Sequence, residues 1–321
     1  MVITERGVQT KRLVIALGGN AMLRPGQRGT AVEQRENVAN TCKQMAELVK
    51  TGYELIITHG NGPQVGSILI QNEAARAHVP AMPLDVCGAM TQGQLGYMIQ
   101  GELMHHLRAL GMQQLVATVI TRVVVDEQDE AFEDPTKPIG PFFQKEEACQ
   151  LMQEEGYIMK EDANRGWRRV VASPQPVDIV EKDAINTLVA AGVIVIANGG
   201  GGIPVKRSAT DYEGVEAVID KDLAGELLAR EVGAKGFIIL TDVEQVLLDF
   251  GKPNERSVST MTVKEAEEYI AQGHFMEGSM LPKVQAAVKF TRSTGGAAII
   301  TSLERVEAAL AGEAGTRVIG G

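Results

Sequence analysis

Lys137, Lys221 and Lys283 stand in settings that suggest chemistry on an anion. PTKPIG places Lys137 between two prolines, which restrict the backbone and leave the side chain little local freedom. VIDKDLAGELLA puts Lys221 and Asp222 between an expected strand end and a helix, with Asp220 as the expected N-cap. GSMLPKV puts Lys283 one residue after Pro282, in the first turn of a helix. A lysine at a helix N-terminus opposes the helix dipole, so two of them there point to a local anion that reverses the balance. Taken singly, each is an ordinary solvated lysine. Asp222 is open to two readings: it favours the positive end of its helix, or it holds the ammonium groups without joining the chemistry.

Glycine loops supply the other half of an anion site. LVIALGGNAM reads as a buried strand running into Gly18, Gly19 and Asn20, with no lysine and no P-loop signature. ELIITHGNGPQVG repeats the grammar at Gly60, Asn61 and Gly62, with Pro63 suited to the first helical position. The helix that follows offers free N–H groups and a partial positive charge. ANGGGGIP carries Gly200 and Gly201, and LTDVE ends a further strand at Thr241 and Asp242. One glycine turn alone is equally a tight strand–helix connection. Gly60, Gly62 and Gly66 also approximate a dinucleotide fingerprint, but Pro80 and Pro83 spoil the strand that should follow. ANGGGGIPV has Asp220 at a suitable distance, yet Pro204 stands where the last glycine belongs, so a nicotinamide dehydrogenase fits poorly. His105 and His106 lack a nearby carboxylate or cysteine pattern, and Trp167 reads as packing.

The elements that must position these residues alternate. Strands are expected at Leu13–Leu17, Glu54–His59, Leu115–Val125, Val193–Asn198, Glu216–Ile219, Gly236–Asp242, Ala297–Thr301 and Thr316–Ile319. Several are unbroken Val/Ile runs, the mark of a parallel sheet buried on both faces. Helical periodicity covers Glu33–Lys50, Ala89–Leu110, Val177–Ala191, Lys221–Val232, Val263–Ala271 and Pro282–Ser293, giving an α/β fold with helices on both faces. In such a sheet, ligands bind beyond the carboxyl ends of the strands, where the glycine loops fall. Asp126–Arg169 breaks the rhythm: it is acidic, punctuated by Pro and Gly, with one short helix, and reads as a protruding excursion, either a lid or a solvated insertion.

Bulk properties narrow the function classes. The 321 residues carry a net charge of −10, which argues against nucleic-acid or anionic-membrane partners but permits a small basic pocket. Cys42, Cys87 and Cys149 show neither disulfide nor metal spacing, which suits a reducing cytoplasm. The charged N-terminus has no apolar leader core, and no run approaches the ~18 residues of a membrane helix.

LVIALGGNAM, THGNGPQVG, PTKPIG, NGGGGIPV, VIDKDLA, LTDV, GHFMEGSMLPKV and the terminal GTRVI together resemble the carbamate kinases of the amino-acid kinase superfamily, from about Leu13 to Ile319. The resemblance implies a three-layer α/β/α sandwich around a mostly parallel eight-stranded sheet, with a protruding subdomain at about 126–169. It implies a carbamate or carbamoyl-phosphate part in residues 1–205, a nucleotide part in 206–321, and a homodimer. The implied reaction is ATP + carbamate ⇌ ADP + carbamoyl phosphate with Mg²⁺, run toward ATP in arginine or purine breakdown. Lys137 and Lys221 would stabilise the transferring group, Lys283 would approach the ATP phosphates, and Asp222 would organise the lysines. Gly18, Gly19, Asn20, Gly60, Asn61 and Gly62 would surround carbamate and the moving phosphoryl. Gly200 and Gly201 would line the phosphate region. Thr241, Asp242 and Met280 would border the nucleotide, whose phosphates would carry the magnesium. Related acyl kinases such as acetylglutamate kinase and aspartokinase bear a lysine where this chain has Ala16, and Lys137 would replace it. Asn198 and Leu281 are minor departures. A regulatory protein that kept the fold and lost turnover is the alternative outside the enzymes.

Overall fold

Leu13, Ile15 and Leu17 pack into one apolar core while Val14 and Ala16 pack into another, and all five are fully buried. That alternation makes Arg12–Leu17 a central strand, because an unbroken apolar run fits only where both faces are covered. The computed structural model describes residues 12–162 and 165–321. The reading of the N-terminus as lacking a leader core falls largely on residues 1–11, outside that range.

The main sheet has eight strands in the order Thr260–Thr262, Thr316–Ile319, Ala297–Ser302, Gly236–Thr241, Arg12–Leu17, Glu54–His59, Ile194–Ile196, Val116–Thr118. Its pairings are parallel except that between Ala297–Ser302 and Thr316–Ile319. Helices Ala31–Lys50, Leu84–Ala109 and Val306–Ala311 cover the Leu13 face. Helices Lys182–Ala190, Lys221–Glu231, Val263–Ala271 and Met280–Thr294 cover the Val14 face. The result is the three-layer α/β/α sandwich.

Two contacts set the depth of the helices that matter most. A Cβ on Gly225 would stand 3.2 Å from the Phe237 ring and 3.3 Å from Thr58 Cγ2, so glycine lets helix Lys221–Glu231 settle onto the sheet. The Phe237 and Phe290 rings, 5.7 Å apart, seat helix Met280–Thr294 beside it.

Several expected elements come out differently. Leu115–Val125 is two strands in two sheets. Val116–Thr118 closes the main sheet, and Arg122–Val125 joins a four-stranded sheet with Tyr212–Gly214, Ile203–Arg207 and Pro176–Ile179. Buried Thr121 marks the break: its N–H donates to Gln92 Oε1 at 2.8 Å, outside either ladder. The expected helix Val177–Ala191 begins only at Lys182, after the strand Pro176–Ile179. Glu181 there accepts from the Arg122 backbone N–H and from Arg122 Nε, both at 2.7 Å. Glu216–Ile219 is not a strand: Ala217 makes one isolated bridge to Ala172, and the Glu216 carboxylate binds the Leu84 N–H and Arg169. Helix Leu84–Ala109 starts before the expected Ala89, directly after Pro83.

The excursion is more ordered than its composition suggests. Lys137–Phe143, Trp167–Val171 and Met159–Glu161 form an antiparallel sheet beside helix Lys145–Glu154. Phe143, Ala148, Leu151 and Met159 form a small core, and Trp167 packs against it. Ala163 and Asn164 of this segment lie outside the described residues.

Candidate active site

Parallel strands put their carboxyl ends on one edge. Leu17 pairs with His59 in register, so Gly18 and Gly60 leave the sheet side by side. Thr241 ends the strand on the other side of Arg12–Leu17. Above this edge lies a cavity of about 500 Å³ lined by Gly18, Gly19, Asn20, Lys221, Thr241, Asp242 and Lys283, among others.

Asp222 is the centre of the charge arrangement. It is 2% exposed and holds two ammonium groups. Lys221 Nζ donates to its Oδ1 at 2.5 Å, and Lys283 Nζ donates to its Oδ2 at 3.0 Å. Burial alone would raise this carboxyl; the two lysines outweigh it and hold it below the ordinary value. Lys283 also donates to the Ser279 carbonyl at 3.2 Å, which fixes the ammonium from a second side. Asp220 caps the helix, accepting from the Asp222 N–H at 2.9 Å. The two aspartates of VIDKDLA thus have separate tasks.

The glycine loops fit against these residues rather than all lining one cleft. A Cβ on Gly60 would stand 3.2 Å from Lys221 Cδ, so glycine there leaves room for the lysine stem. Gly18 has its open side against the Leu240 carbonyl, where a Cβ would stand 2.7 Å from the oxygen. Gly200, at φ +68°, presses on the Asn61 amide, and Gly201, at φ +95°, presses on the Ile219 carbonyl just before Asp220. Asn61 Nδ2 donates to Thr91 Oγ1 at 2.8 Å, so its side chain does not cap helix Gly62–Ala75. The helix begins at Gly62, with Pro63 one place later than expected. Ser279 likewise makes no side-chain cap on helix Met280–Thr294. Gly60, Asn61, Gly62, Gly200, Gly201 and Lys137 are not part of the cavity lining. Lys137 instead reaches Asp220, with Nζ 3.9 Å from Oδ2.

Met280 lines a neighbouring pocket of about 180 Å³ with Val243, Leu247, Phe250 and Phe275. Asp242 and Ser279 border both spaces, so a charged compartment opens beside an apolar one.

Sequence reasoning missed three contributors. Arg24 lines the cavity from a turn whose only signal was Pro25-Gly26. Thr91 anchors Asn61 from a helix far along the chain. His59 is fully enclosed, and its Nδ1 lies 3.0 Å from the Gly60 carbonyl. A carbonyl only accepts, so Nδ1 carries the hydrogen. Burial pushes this imidazole down to about 4, and nearby Lys221 adds to the effect. His59 is therefore neutral at pH 7.

An open α/β sheet with glycine loops at its carboxyl edge, and two lysines held by one buried aspartate on the cavity there, is an arrangement suited to an anionic ligand. The sequence profile of the amino acid kinase family matches residues 11–302. A carbamate kinase of Thermococcus kodakarensis is 53% identical over 312 residues, 96% of this chain and 99% of the relative. A carbamate kinase-like protein of Escherichia coli is 48% identical over 96% of this chain and 98% of its own. A structure of carbamate kinase from Giardia lamblia bound to AMP-PNP superposes with a TM-score of 0.94 at 45% identity, covering 99% of this chain and 100% of that one. The chain belongs to the amino acid kinase family and, within it, to the carbamate kinases. It is a kinase enzyme.

Proposed function

We propose that this enzyme transfers a phosphoryl group reversibly between ATP and carbamate, and that it serves ATP synthesis from carbamoyl phosphate in arginine or purine catabolism. The observation that carries the reading is that Lys221 and Lys283, both lining the cavity, are held at 2.5 and 3.0 Å by the buried carboxylate of Asp222 behind them. Carbamate brings its own anionic oxygen, so no general base is required. Transfer then depends on positioning and on cations around the moving group. That accounts for a site made of lysines, glycines and amides.

In this reading Lys137 and Lys221 stabilise the transferring phosphoryl, and Lys283 meets the nucleotide's phosphates. The backbone N–H groups of Gly18, Gly19, Gly60 and Gly62, with Asn20 and Asn61, surround carbamate and the phosphoryl. Gly200 and Gly201 support that region by seating Asn61 and the approach to Asp220. Thr241, Asp242 and Met280 border the nucleotide, whose base suits the apolar pocket with Phe250. Carbamate falls to residues 1–205 and nucleotide to 206–321.

Magnesium, carried by the phosphates of ATP or ADP, would supply charge neutralisation there. Asp222 has both oxygens committed to lysines, and no cluster of three metal-binding side chains occurs among the described residues.

The chain is proposed to act as a cytoplasmic homodimer. Helix Leu84–Ala109 leaves Met90 46% and Tyr97 67% exposed, which supports a second copy on that face. Sedimentation at monomer mass across micromolar concentrations would remove the dimer.

The functional test is ATP formation from ADP and freshly made carbamoyl phosphate with Mg²⁺. ATP should accumulate well above the spontaneous-decay control. No excess over that control sinks the reading.

A further inference from the structure

Lys137 arrives from a different part of the fold than the other two lysines. Its strand belongs to the excursion's own sheet and pairs there with Trp167–Val171. The main sheet therefore does not fix where its ammonium stands. Its side chain is 35% exposed, and a lysine so placed samples many rotamers unless a partner holds it.

The partner is Asp220, whose two carboxylate oxygens do different work. Oδ1 accepts from the backbone N–H of Asp222 at 2.9 Å and of Leu223 at 3.4 Å, capping the helix. Oδ2 faces Lys137 Nζ at 3.9 Å. The cap makes the carboxylate rigid, so the oxygen left over points a fixed negative charge at a mobile ammonium. The backbone before Asp220 is seated as well, because Gly201 admits the Ile219 carbonyl where any Cβ would collide with it.

We propose that Asp220 is a positioning residue for Lys137, doing for the excursion's lysine what Asp222 does for Lys221 and Lys283. This rests on the reading of the site as a phosphoryl-transfer centre. At 3.9 Å the pair is an ion pair and not a hydrogen bond. The ammonium is aimed but not captured, and it turns to a more highly charged anion when one arrives. Asp220 thereby links the seating of the excursion to the helix that carries Lys221 and Asp222.

Asp220→Asn separates the two tasks, because asparagine caps a helix as well as aspartate but carries no charge. Thermal stability should match the wild type. ATP formation from carbamoyl phosphate should lose roughly tenfold to a hundredfold in kcat, the scale of a misplaced catalytic group, with KM for ADP little changed. Lys137→Ala should abolish the difference, so that adding Asp220→Asn to it changes nothing further. Wild-type kcat in Asp220→Asn, or a full additional loss on top of Lys137→Ala, overturns the proposal. A second readout needs no turnover: labelling of the folded protein with an amine-acylating reagent, followed by peptide mass spectrometry. Asp220→Asn should raise labelling at Lys137 severalfold relative to Lys221, and an unchanged ratio counts against the pairing. A wild-type enzyme that makes no ATP would defeat the functional reading, while the labelling ratio would still decide this one.

Discussion

Replacing Asp222 by asparagine tests the charge arrangement most directly. The carboxylate is 2% exposed, and each of its oxygens receives one ammonium. A hydrogen bond to a charged group contributes about 1.5–3 kcal/mol, so the two together contribute about 3–6 kcal/mol. The amide keeps one acceptor oxygen, worth about 1 kcal/mol, and its NH₂ repels the other lysine. A net loss near 3 kcal/mol follows, and as lost transition-state stabilisation it corresponds to a fall in kcat on the order of 10²-fold. The assay is coupled ATP formation from carbamoyl phosphate and ADP, run beside thermal unfolding. The variant should also lose an acid-dependent contribution. A carboxyl lowered in the folded state stabilises it above the ordinary value of 3.8, and that stability drains as pH falls through the folded value. Wild type should therefore lose more stability than Asp222→Asn on descending below that pH. A kcat within threefold of wild type, with an unchanged acid limb, would refute the reasoning.

Gly200→Ala should cut turnover strongly, because φ is +68° and the new Cβ would collide with the Asn61 amide; a variant with wild-type kinetics would show that Asn61 is free to move. His59→Gln should flatten the stability profile between pH 6.5 and about 4. In that window the unfolded wild type binds a proton that the buried imidazole refuses, so wild-type stability rises with pH, and equal slopes in variant and wild type would count against it. Thiol alkylation should leave turnover intact, since Cys42 and Cys87 are buried and exposed Cys149 sits on the excursion helix, away from the cavity lining; inactivation blocked by Cys149→Ser would overturn this.

The sheet was legible wherever burial on both faces left an unbroken apolar run. Arg12–Leu17 and Glu54–His59 read correctly for that reason. Leu115–Val125 misled because the same apolar run continues through a break set by Gln92, a side chain from a distant helix. Val177–Ala191 misled because Glu181 is recruited by Arg122, and helical periodicity cannot register such a partner. The excursion strand Lys137–Phe143 was hidden by Pro138 and Pro141, which an edge position or a bulge tolerates: its pairing with Trp167–Val171 shifts register between Ile139 and Phe143. Among the candidate site residues, Asp222 and its lysines were visible from helix-start chemistry. His59 and Thr91 were not, because each looks like an ordinary core residue until its neighbour across the fold is known.

The spread of lysines over separate elements follows from electrostatics. Three ammonium groups crowded into one loop would repel one another, and burial would favour shedding their protons. Here Asp222 stands between Lys221 and Lys283, and Asp220 faces Lys137. Three positive charges less two negative ones leave a single net positive charge, which a folded protein can hold without a ligand. Helix Lys221–Glu231 with its N-cap Asp220 supplies both aspartates and one lysine, and Met280–Thr294 and the excursion each bring one more lysine. In the proposed reading, a phosphoryl group entering between them would meet cations already held by carboxylates, and each could turn toward it without disturbing the element that carries its neighbour.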